Sequence, residues 1–270
     1  MMSPLFESLI KNSLTILADE PDDSTAMVWS EAEAYAEIES SEKAIYKLDI
    51  IDKEVLLEDV EDLLTFDSIH KVKELWLDKN EFGNEGVEVL AQTSLLKQLL
   101  VLSLAYNKLT NYSVQSLAAS PFLGQLQKLF LQGNQIGLEG LKALTESPTL
   151  SNLQMLYLNL NPIGPAGAQI LAGESQIKNL RELYLQKTRL GLEGLRALCE
   201  SDNFQDLTLL SLAGNGLVDS AVELLCRSKA FPSLITLDLY HNRISDQAVD
   251  QLHSAPNLKS VRAFQVDWRG

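Results

Sequence analysis

Chemistry needs a nucleophile, a base or a set of metal ligands in a recognisable constellation, and this sequence is poor in the histidines and cysteines that most often supply one. It holds three histidines, His70, His241 and His253, and two cysteines, Cys199 and Cys226. A thiolate nucleophile needs a base within hydrogen-bond reach. Both cysteines fall on stretches that read as helix, whereas His241 follows a stretch that reads as strand. The cysteines share a register with Ala91, Ala118, Thr145 and Ala172. They read as small packing residues or, alternatively, as redox groups. No Ser/His/Asp constellation, metal-ligand spacing or phosphate-binding loop is present in the pattern. The expectation is a non-enzyme with no catalytic residues, no metal and no cofactor.

The residues whose type and spacing do suggest a function are aromatic: Trp76, Phe130, Tyr157 and Tyr184. Each stands between two residues that recur in a strict pattern. Asparagines at 80, 107, 134, 161, 215 and 242 are separated by 27 residues or a multiple of it, with Thr188 at the one exceptional rung. Five residues before each rung stands Leu75, Leu102, Leu129, Leu156, Leu183, Leu210 or Leu237. Three before stands Leu77, Leu104, Leu131, Leu158, Leu185, Leu212 or Leu239. Phe82, Leu109, Ile136, Ile163, Leu190, Leu217 and Ile244 follow two after the rung. The frame extends upstream through Ile45, Leu48, Ile50, Val55, Val60, Leu63 and Ile69, with Lys53 on the rung, and downstream through Val261, Phe264 and Val266.

The elements follow from the pattern. Leu-x-Leu has period 2, so a short strand buries its leucines and turns the residue between them away. A turn and then apolar residues at spacings of three and four, such as Leu138, Leu141 and Leu144, predict a helix. One such unit cannot bury its apolar side alone, but a stack of them can. The rung asparagines Asn80, Asn107, Asn134, Asn161, Asn215 and Asn242, with Thr188, are expected to form a structural ladder that bonds turn backbone. Thr188 reads as a substitute that still hydrogen-bonds, or as a local adjustment of the face near Tyr184.

The units Leu156-Tyr157-Leu158-Asn159-Leu160-Asn161-Pro162-Ile163-Gly164 and Leu129-Phe130-Leu131-Gln132-Gly133-Asn134-Gln135-Ile136-Gly137 resemble the ribonuclease-inhibitor-like subclass of leucine-rich repeats. The resemblance covers roughly residues 45–267. It implies a right-handed α/β solenoid, a horseshoe with a parallel inner sheet on the concave face and outer helices. The chain lacks the abundant cysteines and alternating repeat lengths of ribonuclease inhibitor, so ribonuclease is not an expected ligand. The domains read as an acidic helical N-terminal cap (1–44), eight repeats of 27 residues (45–260) and a C-terminal capping strand (261–270).

Charge is concentrated at one end. The net charge is −15. Residues 1–70 carry 18 acids against 4 bases, and the remainder 19 against 18, so the repeats are near neutral. This disfavours nucleic acid and anionic membrane as partners. Residues 3–18 read as one amphipathic helix with Leu5, Leu9, Ile10, Leu14 and Leu17 on one side. Ser24 could cap a second helix over 25–39. The acids read as a solvated cap or as a docking surface for a basic partner. Phe264 and Trp268 are expected to cover the last repeat. Two cysteines, no basic leader and no long apolar stretch suggest a cytoplasmic monomer with no membrane insertion. Delivery by a non-classical secretion route stays open.

On the expected concave face, Phe130, Tyr157 and Tyr184 occupy adjacent strands about 4.8 Å apart. The rings read as strand formers stacking for stability, or as anchors for a protein partner. The candidate partner-binding set is Trp76, Tyr106, Phe130, Tyr157, Tyr184, Glu182, Asp238 and Tyr240. Glu74, Asp78 and Gln186 complete a polar rim. Two further functions fit the resemblance. One is regulation of an enzyme, such as GTPase activation through the loop bases Lys79, Lys108, Arg189 and Arg243. The other is a bacterial effector delivered into host cells.

Overall fold

The computed structural model describes residues 2–17 and 45–267. The strands are β1 (Leu14–Ile16), β2 (Tyr46–Asp49), β3 (Val72–Trp76), β4 (Val101–Ser103), β5 (Lys128–Phe130), β6 (Met155–Tyr157), β7 (Glu182–Tyr184), β8 (Leu209–Ser211), β9 (Thr236–Asp238) and β10 (Ala263–Gln265). They form one sheet in sequence order. β2 to β10 pair in parallel, and β1 pairs antiparallel with β2.

The register is the one the period demands. Leu75, Leu102, Leu129, Leu156, Leu183, Leu210 and Leu237 are Cα partners along the sheet, and Phe264 takes the last place. All seven leucines are buried. Helices α2 (Leu57–Leu63), α3 (Gly83–Gln92), α4 (Asn111–Ala119), α5 (Leu138–Glu146), α6 (Gly164–Ala172), α7 (Gly191–Cys199), α8 (Asp219–Arg227) and α9 (Asp246–Ser254) connect the strands, and each packs on the next. Their close approach needs small residues. A Cβ on Gly167 would lie 2.6 Å from Ile163 Cγ2 and 2.7 Å from Leu141 Cδ1. The architecture is an α/β solenoid with its core between the sheet and the helix row.

The asparagine rung holds the turns together. Asn134 Oδ1 accepts from the backbone N–H groups of Asn107 and Leu109, each at 3.0 Å. Its Nδ2 donates to Leu104 O and Leu131 O, at 3.0 and 2.9 Å. Asn80, Asn215 and Asn242 repeat the scheme. The ladder thus bonds backbone groups that burial would otherwise orphan, and it does so between repeats as well as within them.

The N-terminal end departs from the sequence expectation. The helix, α1 (Pro4–Ser13), stops five residues short of 18 and buries Phe6 and Ile10, while Leu5 is 83% exposed. Ser3 caps it, its hydroxyl accepting from Phe6 N at 3.2 Å. Leu14, Thr15 and Ile16 instead form β1, which covers the edge of β2 in register with Leu48, Lys47 and Tyr46. An uncovered edge strand leaves a row of backbone donors and acceptors unpaired. Satisfying them outweighs one more helical turn, and Thr15 and Ile16 are β-branched. The expected helix over 25–39 and Trp268 lie outside the described residues. Phe264 packs on the core, with the His253 ring edge-on at 4.8 Å.

Candidate partner-binding face

The residues between the strand leucines point away from the core onto one surface. In order they are Asp49, Trp76, Ser103, Phe130, Tyr157, Tyr184, Ser211, Asp238 and Gln265, and they are Cα partners from strand to strand. Four of them form one continuous ring stack. Tyr157 and Tyr184 have centroids 3.8 Å apart and planes 13° apart, and Phe130 and Tyr157 are 4.5 Å apart at 25°. Trp76 joins Phe130 at 5.2 Å although Ser103 stands between them. Two strand spacings are about 9.6 Å, so the two rings lean together over the small serine, which is fully buried.

Carboxylates hold the rings from one side. Trp76 Nε1 donates to Glu74 Oε2 at 3.3 Å, and the Tyr184 hydroxyl donates to Glu182 Oε2 at 2.8 Å. Burial raises the Tyr184 hydroxyl above the usual tyrosine range, and its hydrogen bonds to Tyr157 and Glu182 add to the rise. Burial also raises Tyr157. The stack therefore stays neutral over the working pH range. At the Trp76 end, Lys47 Nζ lies 4.7 Å from the indole centroid and 3.1 Å from Asp49 Oδ2.

A second row runs two residues further along each strand: Asp78, Ala105, Gln132, Asn159, Gln186, Ala213 and Tyr240. Gln132 Oε1, Asn159 Oδ1 and Gln186 Oε1 are buried atoms with no hydrogen-bond donor. Asp78 accepts from the Ser103 hydroxyl and from Ala105 N, the latter at 2.8 Å. Burial nevertheless raises its carboxyl above the ordinary range, the two hydrogen bonds only partly opposing it.

The eight sequence-selected residues divide into three groups. Trp76, Phe130, Tyr157 and Tyr184 come together in the stack, with Glu182 bonded to its end. Asp238 is buried and engaged, accepting from the Ser211 hydroxyl and from Tyr240 N at 3.0 Å. Tyr106 and Tyr240 are exposed and lie at the strand ends outside the stack. Tyr106 sits in the left-handed region at φ 57°, and the Tyr240 ring centroid lies 6.2 Å from that of His241. Sequence reasoning passed over Lys47, Gln132 and Asn159. The amides could have been found by reading every second residue past each ring in the same 27-residue register.

The groups considered for other chemistry are dispersed. Burial pushes the Cys199 thiol up to about 12, and the thiol of Cys226 is raised as well. Both cysteines are unpaired. The loop base Lys108 pairs with Glu81 at 3.1 Å. Lys79, Lys108 and Arg189 all occupy left-handed backbone after the strands. Among the described residues no cluster of histidine, cysteine, aspartate and glutamate could hold a metal ion, and no helix is long and apolar enough to cross a membrane.

Comparison with known proteins agrees with the repeat. The leucine-rich repeat family model matches residues 68–91, 126–144 and 176–199. No curated protein matches the chain. Among solved structures, an internalin from Listeria monocytogenes is similar at 20% identity with a TM-score of 0.48. The similarity covers 74% of this chain and 55% of the internalin, so the chain spans little more than half of that protein's length.

Proposed function

We propose that this leucine-rich-repeat solenoid is a non-catalytic scaffold that captures a protein partner on the strand face through the Trp76–Phe130–Tyr157–Tyr184 stack. The observation that carries the proposal is the position of the rings. The interior is already filled by leucines on either side, so the core does not need the rings. They stand in one row on the opposite surface, where rigid aromatics supply contact area at low entropic cost. Glu74 and Glu182 orient the stack. Tyr106 and Tyr240 border the same face and extend the proposed footprint.

The uniform 27-residue unit supports the ribonuclease-inhibitor-like subclass. A cytoplasmic site of action fits the two unpaired cysteines, which a reducing compartment keeps as thiols. The test compares affinity capture from the native source by the wild type, by Tyr157→Ala/Tyr184→Ala, and by Lys142→Glu/Glu193→Lys on the helical side. A partner retained by the wild type and the helix variant but lost by the double alanine, with Tm nearly unchanged, is the expected result. Equal capture by all three overturns the proposal. A large fall in Tm together with lost capture assigns the rings to stability instead.

A further inference from the structure

The two ends of the ring stack are alike except in one respect. At the Trp76 end, the row on the strand face runs ring, cation, carboxylate: Trp76, then Lys47 Nζ at 4.7 Å from the ring, then Asp49 Oδ2 at 3.1 Å from that nitrogen. At the Tyr184 end the row runs ring, serine, carboxylate: Tyr184, Ser211 and Asp238, in Cα register on neighbouring strands. The Ser211 hydroxyl donates to Asp238 and draws the carboxylate toward the stack. Glu182 adds a second carboxylate, bonded to the Tyr184 hydroxyl at 2.8 Å. Lys47 lies over the Trp76 ring, and the ring stacked on Tyr184 is that of Tyr157. Tyr184 thus has Glu182 at its hydroxyl, Asp238 two strands away across Ser211, and no cation over its ring among the described residues.

We infer that this end of the stack receives an arginine side chain of the protein partner, its guanidinium laid on the outer face of Tyr184 beside Glu182, on the side toward Asp238. The inference rests on the strand face being the partner-binding surface and specifies what binds there. Three features select arginine. An electron-rich ring face attracts a cation, more strongly where water is partly excluded. A planar guanidinium continues a stack whose planes are already nearly parallel, which a compact ammonium cannot. Its several N–H donors match the carboxylate of Glu182, which stands at the edge of the same ring. The near neutrality of the rest of the repeat region leaves these carboxylates without a dominant opposing field.

The experiment titrates the full chain, carrying ring-labelled tyrosine, with Nα-acetyl-arginine amide, with the neutral isostere Nα-acetyl-citrulline amide and with Nα-acetyl-lysine amide. NMR follows the Tyr184 ring signal, identified with Tyr184→Phe. The arginine amide is expected to give saturable shifts centred on Tyr184. Lysine should bind more weakly and citrulline should leave the signal in place. Glu182→Gln keeps an acceptor for the tyrosine hydroxyl, so the ring stays put while a charge is lost. It should weaken arginine binding about threefold, as for a partly exposed charge pair. Equal shifts from citrulline or lysine, no shift at Tyr184, or indifference to Glu182→Gln would overturn the inference. Failure here with capture still dependent on Tyr157 and Tyr184 removes the arginine and leaves the scaffold reading intact. Retained arginine binding with capture independent of the rings does the opposite.

Discussion

The ring of Tyr106 lies directly over Gly133 of the next repeat, so close that a Cβ there would sit 2.3 Å from its Cδ1 and Cε1. Gly133 is also left-handed, at φ +69°. Two independent costs therefore meet at one position. Gly133→Ala should lose about 1–2 kcal/mol to backbone strain alone, and more from displacing the tyrosine ring. Adding Tyr106→Ala should recover the steric share and leave the backbone share. Denaturant melts of the wild type, both single variants and the double variant separate the two. Strict additivity would mean that the ring is not held by the missing side chain.

The ladder has one weak rung. Thr188 Oγ1 lies 2.8 Å from Leu185 O and 3.1 Å from Asn215 Oδ1, but it is too short to serve the preceding turn. There Ile163 N falls back on Asn161 O at 2.9 Å, whereas Ile136 N one repeat earlier reaches Asn161 Oδ1 at 3.0 Å. Thr188→Asn should restore the inter-repeat bonds and gain about 1 kcal/mol, a rise in Tm of about 2–4 °C. Asn134→Ala removes four bonds to buried backbone groups and should cost at least about 3 kcal/mol. Calorimetry on the two variants checks both signs. A lower Tm for Thr188→Asn would show that threonine is the better fit at that rung.

Asp78 should make stability depend on pH in the direction opposite to a salt-bridged acid. Its ordinary value is 3.8, and burial raises it in the folded state. The folded chain therefore holds its proton more tightly than the unfolded chain. The contribution is fully present below 3.8 and is lost as pH rises through the folded value. Asp78→Asn, which can still accept from the Ser103 hydroxyl and Ala105 N, should be more stable than the wild type at neutral pH. The advantage should vanish in acid. Urea midpoints for both proteins at several pH values measure it, and an advantage that grows toward acid would contradict the assignment.

Which residues share a row was legible in the sequence, because a parallel stack of equal units carries one repeat's register onto the next. Leu-x-Leu at a constant 27-residue interval set the buried face, the outward row and the asparagine rung. It also separated Trp76, Phe130, Tyr157 and Tyr184 from the core. What each outward side chain does there was decided by contacts between residues distant in sequence. Asp238 turned along the sheet onto Ser211, whose hydroxyl donates to it. Trp76 crossed to Phe130 because Ser103 left space between them. Lys47 found the indole from the strand next door. Leu14, Thr15 and Ile16 left the helical period to cover an open sheet edge, a demand made by β2, whose paired residues lie 30 to 34 positions away. Periodicity specifies a face, since it depends only on chain geometry. Rotamers, vacancies and edge pairing depend on which neighbours arrive across that face, and only the tertiary structure brings those neighbours together.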